Sequence, residues 1–208
     1  MKHLLLSLCA IIMALSSCTN DRFSETSITE VRSDTAIQIP NIMINKDSVQ
    51  FDNAVSRWMQ DTSLYSGYIE SYYINGTIKE REGVWNGVKH GPSQKWYVDG
   101  HLKRIMHYHM GKLNGEKKQW SADSNHTLVA NFQFKDGKVH GKQTKWYNTG
   151  ELYQILHLNN GKEEGLQQAY RKNGVLYANY EVKNGRIFGL KKSSLCYGLK
   201  DENINYEN

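Results

Sequence analysis

The sequence predicts an all-β protein, an elongated antiparallel meander of about five β-hairpin repeats of 24 residues. The 208-residue chain contains 17 glycines and only two prolines, which suits glycine turns. Its 13 tyrosines and five tryptophans favour short strands over a helical bundle. An internal repeat decides the prediction, because four residue columns keep one register along most of the chain.

Two glycine columns define the repeat. The first recurs at spacings of 24, 26, 24 and 24 residues, and the second at 24, 24, 26, 24 and 24. The first column is Gly87, Gly111, Gly137, Gly161 and Gly185, and the second is Gly67, Gly91, Gly115, Gly141, Gly165 and Gly189. An aromatic residue follows each of the first five glycines of the second column by five positions, and an aliphatic residue comes six or eight positions later. These pairs are Tyr72 and Ile78, Trp96 and Leu102, Trp120 and Leu128, Trp146 and Leu152, and Tyr170 and Leu176.

Each unit is predicted to form one β-hairpin. Between the aromatic and the aliphatic residue lies a segment such as Val98-Asp99-Gly100, typical of a three-residue loop that ends in a glycine bulge. Glycine is expected there because a β-carbon is disfavoured at positive φ. This geometry places Trp96 opposite Leu102. The two extra residues of the long repeat fall between Trp120 and Leu128, at a hairpin tip.

The repeated motifs resemble MORN repeats, specifically the bacterial YwqK-type variant that is often labelled as an antitoxin family. The motifs are Asn86-Gly87-Val88-Lys89-His90-Gly91 and Lys95-Trp96-Tyr97-Val98-Asp99-Gly100, and the resemblance covers residues 67–189. It implies an elongated antiparallel meander used for binding or scaffolding. The family label also implies an alternative, an antitoxin-like partner-binding protein. Residues 43–66 are expected to form a degenerate N-terminal cap, and residues 190–208 a C-terminal cap or tail.

The N-terminus predicts export and lipid anchoring. Lys2 precedes an apolar run from Leu4 to Leu15, which is shorter than the roughly 20 residues that span a bilayer. The following Ser16-Ser17-Cys18 resembles the lipobox of bacterial lipoproteins. The resemblance implies that residues 1–17 are a signal peptide and that Cys18 carries lipid. Residues 18–42 would then form a flexible tether. We expect a location in the cell envelope, on a membrane and facing the periplasm or the exterior.

Composition and motifs argue against catalysis and against nucleic-acid binding. The net charge of +5 is spread along the chain rather than gathered in a basic block. No GxSxG, HExxH or P-loop motif occurs. We therefore expect neither an enzyme nor a cofactor. An alternative is a metal or redox accessory protein that uses Cys196 with His107 and His109, which would share one strand face. The repeat equivalents of His107 (Gln133, His157 and Glu181) favour a solvated face instead.

Strand periodicity predicts two unlike faces. A packed face would carry Trp96, Leu102, Met106 and Tyr108 with their repeat equivalents, which include Trp146, Leu152, Phe132, Phe134, Leu156, Leu158, Tyr180 and Val182. The opposite face would carry exposed tyrosines suited to an interface. Its predicted partner-binding residues are Tyr73, Tyr97, Lys103, Tyr147, Tyr153 and Tyr177. The expected partner is a protein, with a lipid or a glycan as alternatives; the array could also be a structural spacer.

Overall fold

The computed structural model describes residues 37–190, and these are almost entirely strands, turns and bends. Several predicted features lie outside the described residues. They are Cys18, Cys196, the signal peptide, the tether before Ile37 and the tail after Leu190. The strands within it are β1 (Met43–Asn45), β2 (Gln50–Asp52), β3 (Arg57–Gln60), β4 (Ser63–Leu64), β5 (Gly67–Tyr72), β6 (Ile78–Trp85), β7 (Val88–Trp96), β8 (Leu102–His109), β9 (Lys112–Trp120), β10 (Leu128–Lys135), β11 (Lys138–Val139), β12 (Gly141–Trp146), β13 (Leu152–Asn159), β14 (Lys162–Glu163), β15 (Gly165–Tyr170), β16 (Leu176–Lys183) and β17 (Arg186–Leu190). A single 3-10 turn covers Lys46–Ser48 in this part of the chain.

The predicted all-β meander is confirmed. Within residues 37–190, one long sheet has the strand order β1-β5-β6-β7-β8-β9-β10-β12-β13-β15-β16-β17, with β11 paired to β10 and β14 to β13. Every pairing in it is antiparallel except that of β1 with β5. Strands β2, β3 and β4 form a separate small sheet. No helix of the described residues has the length and apolar character needed to cross a membrane.

The hairpin tips have the predicted geometry. Trp96 lies opposite Leu102, and a bulge shifts the register between Lys95 and Trp96. Gly100 has a φ of +88°. Its N–H donates to the carbonyl of Tyr97 over 3.0 Å, and the Tyr97 N–H donates to the carbonyl of His101 over 2.8 Å. The other four aromatic and aliphatic pairs also face each other across a tip. The glycine, aromatic and aliphatic columns of the sequence therefore correspond to the register of strand pairing in each hairpin.

The connections between units are also tight hairpin turns. Asn86 and Gly87 both have positive φ, 47° and 74°, and join paired Trp85 and Val88 in a two-residue loop. This is the geometry of a type I′ turn, whose twist matches that of the strands. In four of these turns the glycine N–H also bonds to the preceding repeat, as in the 2.7 Å bond from Gly111 to the Lys89 carbonyl. The first glycine column therefore ties neighbouring units together.

Residues 37–66 cover the beginning of the sheet. Val49, Tyr65, Ile69 and Val84 form a buried apolar cluster, against which Ile44 and Trp58 pack. The Tyr65 hydroxyl donates to the backbone carbonyls of Ile42 and Tyr68. The side chain of Ile39 lies over the backbone of β6 and β7, at the level of Gly83 and Gly91.

The face of the sheet that carries Met106 is partly packed, as predicted, but it is not purely apolar. Pairing joins Ser93 to Met106, Met106 to Lys117 and Lys117 to Phe132, so these side chains share what we call the Met106 face. Met106, Tyr180 and Val182 are buried there. The other predicted residues of this face, such as Phe132 and Leu156, are only half-buried.

Buried glutamines also lie on the Met106 face. The Gln143 amide donates to the carbonyls of Gln133, His140 and Gly141, and its oxygen accepts the Gln133 N–H. Gln167 bonds in the same way to the backbone of His157. These amides bridge the irregular stretch that begins each of strands β12 and β15, where a buried backbone group without a partner would be costly.

Candidate functional site

An apolar groove opens on the Met106 face between β9 and β13. Its volume is about 250 Å³. The apolar lining consists of Phe132, Phe134, Val139, Leu156 and Leu158. Polar side chains complete it, and these are Lys117, Gln143, Lys145 and Gln154. Since the five apolar side chains belong to three neighbouring strands, the groove depends on correct stacking of consecutive repeats.

Two lysines frame the aromatic ring at the centre of this groove. The ammonium nitrogens of Lys117 and Lys145 lie 5.9 and 5.8 Å from the centre of the Phe132 ring. Burial lowers the pKa of the Lys117 ammonium, and the nearby charge of Arg104 lowers it further. Burial also lowers the pKa of Lys145. Among the described residues that line the groove, the charged ones are both cationic, so a bound group with a carboxylate or phosphate would be favoured.

Two buried glutamates on the same face, Glu80 and Glu82, lie close enough to interact with each other. Lys95 binds Glu80 over 2.7 Å and Lys89 binds Glu82 over 2.5 Å. Burial raises the pKa of Glu82 even though Lys89 opposes the shift. Both carboxylates already have a lysine partner, so we interpret them as structural ion pairs. The pair does not recur along the repeats, so the periodicity of the sequence does not reveal it.

The predicted tyrosine columns form a row of side-chain pairs beside the hairpin tips. In each of four repeats, the residue after the aromatic column packs on the residue six positions later. The Lys103 ammonium lies 5.3 Å from the centre of the Tyr97 ring. The Tyr147 and Tyr153 rings meet edge to face at 5.1 Å. The equivalent pairs are Tyr73 with Lys79 and Arg171 with Tyr177. The structure thus brings together the two columns that the sequence placed side by side.

Three of these tyrosines connect one hairpin to the next. The hydroxyl groups of Tyr73, Tyr97 and Tyr147 donate to the carbonyls of Trp96, Trp120 and Tyr170, each 23 residues further along the chain. Tyr147 is buried, with 8% of its surface exposed. The expectation that these rings are exposed is therefore wrong: Tyr147 is buried, and Tyr73 and Tyr97 are half-buried, because each hydroxyl bonds to the backbone of the following repeat. Partner binding by the predicted tyrosine surface stays a prediction.

The histidines proposed as metal ligands make separate contacts. His107 Nδ1 lies 3.1 Å from the Glu116 carbonyl oxygen. His109 packs against His90, with ring centres 5.2 Å apart. His90 in turn accepts the Met110 N–H. Each ring thus has a packing or hydrogen-bonding role of its own.

No protein-family model matches the chain, and no curated protein matches it. The resemblance to MORN repeats therefore depends on the motifs quoted above.

Proposed function

We propose that the protein is a lipid-anchored component of the cell envelope. It binds another envelope component and catalyses no reaction. The lipobox-like segment ending at Cys18 supports the anchor. The long hairpin sheet supports a binding or scaffolding role, because repeated units present a large continuous surface.

The observation that carries the proposal is an apolar groove that has two lysines in its lining. The groove suits a protein segment that presents a large apolar side chain next to a carboxylate. The apolar side chain would fill the space between Phe132 and Leu156, and the carboxylate would reach Lys117 and Lys145. A half-buried lysine binds an acid more strongly than a fully solvated one, because less water competes. A lipid or a glycan is the alternative occupant.

Capture from membranes tests this proposal. The protein would be crosslinked in its own membrane, and partners recovered with it would be compared for wild type, Lys117→Glu with Lys145→Glu, and Lys103→Glu. Lys103 belongs to the predicted tyrosine surface and does not line the groove. We expect the groove variant to lose about 10-fold or more of the captured partner, because two favourable charge contacts become repulsive.

The Lys103→Glu variant serves as the matched control and should capture as the wild type does. Circular dichroism of each variant would verify the sheet. If Lys103→Glu abolishes capture and the groove variant does not, the binding surface is the tyrosine row. If no variant captures anything, and the wild type does not either, the array is a spacer and the binding proposal is wrong.

A further inference from the structure

Two histidines and an aspartate converge at neighbouring hairpin tips, away from the groove. Asp99 and His101 belong to the tip between β7 and β8, and His126 belongs to the tip between β9 and β10. One carboxylate oxygen of Asp99 lies 3.3 Å from His101 Nδ1, and the other lies 3.4 Å from His126 Nε2. One ligand-type atom from each of the three residues lies within 4.8 Å of the other two. Within the described chain, this is the group of three such side chains that comes together.

The three side chains lie close enough together to share one divalent cation of the first transition row. Two ligands bound tetrahedrally at roughly 2.0–2.1 Å from Zn²⁺ lie about 3.3 Å apart. The Asp99–His126 distance of 3.4 Å is close to this value, and so is the Asp99–His101 distance of 3.3 Å, although the two run to different carboxylate oxygens. Imidazole nitrogens with one carboxylate oxygen form a donor set that Zn²⁺ and its neighbours in the first transition row accept.

His126 occupies a backbone position that other repeats give to glycine. It lies directly before the residue whose carbonyl accepts the hydrogen bond that closes the tip, and its φ is +46°. In the other tips this position is held by Gly76, Gly100, Gly150 and Gly174. A side chain in this left-handed conformation costs about 1–2 kcal/mol. The two-residue insertion of the long repeat lies in the same tip. The chain therefore departs from its own repeat here, and the departure places an imidazole beside Asp99.

The His126 ring faces Asp99 through its Nε2 atom. Its Nδ1 is buried and has no hydrogen-bond partner within the described residues. The ring stacks on His101, with centres 3.6 Å apart. Two parallel rings cannot both direct a lone pair at one ion, so binding requires His101 to turn. The His101 side chain is 58% exposed, which leaves it space to do so.

We propose that Asp99, His101 and His126 form a binding site for a first-row divalent cation such as Zn²⁺. The site goes beyond the proposed envelope-binding function and is independent of the groove. Three protein ligands leave at least one coordination position for water or for a donor atom from another molecule. The ion would link two consecutive hairpin tips across the longest loop of the array.

Calorimetric titration of the purified full-length protein with Zn²⁺ tests the proposal, with the visible spectrum of bound Co²⁺ as a second readout. We expect one saturable ion per chain. The key variant is His126→Gly, which restores the glycine of the other repeats and should fold at least as well as the wild type. It should weaken Zn²⁺ binding by more than about 100-fold, since even outer-sphere partners contribute 10–100-fold. His101→Ala, at an exposed position, should do the same.

The controls are His107→Ala with His109→Ala, and Cys196→Ser, all of which should bind Zn²⁺ as the wild type does. The proposal is overturned if the wild type shows no saturable binding. It is equally overturned if His126→Gly and His101→Ala bind as the wild type does, or if binding depends on His107, His109 or Cys196.

Discussion

The hydroxyl of Tyr147 provides a direct test of how the repeats are joined. It donates to the Tyr170 carbonyl over 3.0 Å from a ring that is 8% exposed. Tyr147→Phe keeps the ring and removes this bond, which leaves a backbone carbonyl without that partner. A hydrogen bond of this kind contributes about 0.5–1.5 kcal/mol to stability. In a chain of this size, 1 kcal/mol corresponds to about 2–4 °C in Tm.

Thermal unfolding followed by circular dichroism would measure the change. We expect Tyr147→Phe to lower Tm by about 1–6 °C. Tyr147→Ala should cost about 3 kcal/mol or more, because it also empties a buried ring site. The matched control is Tyr153→Phe, which removes a hydroxyl from the ring that packs on Tyr147 but keeps the bond to Tyr170. An unchanged Tm for Tyr147→Phe, together with weaker partner capture, would refute the structural role.

Three further predictions concern the anchor, a turn and a buried phenol. Cys18→Ala should release the protein from membranes or block its processing, as membrane fractionation and lipid mass spectrometry would show; equal fractionation of an unlipidated parent would contradict this. Gly100→Val should destabilise the protein by about 1–2 kcal/mol in urea unfolding, because a β-branched residue is strained at positive φ. An unchanged urea midpoint would argue against that turn. Burial and the bond to Glu163 raise the pKa of Tyr180 to about 12. The contribution of Tyr180 to stability is therefore complete below its unfolded pKa of about 10 and is lost as the pH rises through 12. Tyr180→Phe should remove that part of the pH dependence of urea unfolding.

The sequence was sufficient to predict the hairpins because each column reflects a local backbone requirement. Gly100 needs positive φ, and the bulge that it creates fixes Trp96 opposite Leu102. The turn at Asn86-Gly87 was equally readable, since asparagine followed by glycine is a strong signal for a type I′ hairpin. As a column, however, this glycine indicates only the period of the repeat and not the bond that its turn makes to the neighbouring unit.

The tertiary features were harder to predict. The bond from Tyr97 to the Trp120 carbonyl links residues 23 positions apart, and it exists only once two hairpins stack. Strand alternation alone therefore suggested an exposed ring. A polar residue such as Gln143 is normally expected at the surface. It is buried because its side-chain amide hydrogen-bonds to backbone groups of the neighbouring strand. The cluster around His126 belongs to none of the four columns that define the repeat, and its side chains meet only where two hairpin tips stack, so periodicity does not predict it.

Which face of the sheet binds the partner is the central question, and site-specific photocrosslinking in the native membrane answers it most directly. A photoreactive side chain would replace Phe134 in the groove or, in a separate variant, Tyr177. Tyr177 alternates along β16 with Ala178, which pairing places on the Met106 face, and it belongs to the tyrosine surface predicted from sequence. We expect a discrete adduct from position 134 and none from position 177. An adduct from position 177 alone would contradict the groove proposal and return binding to the tyrosine surface.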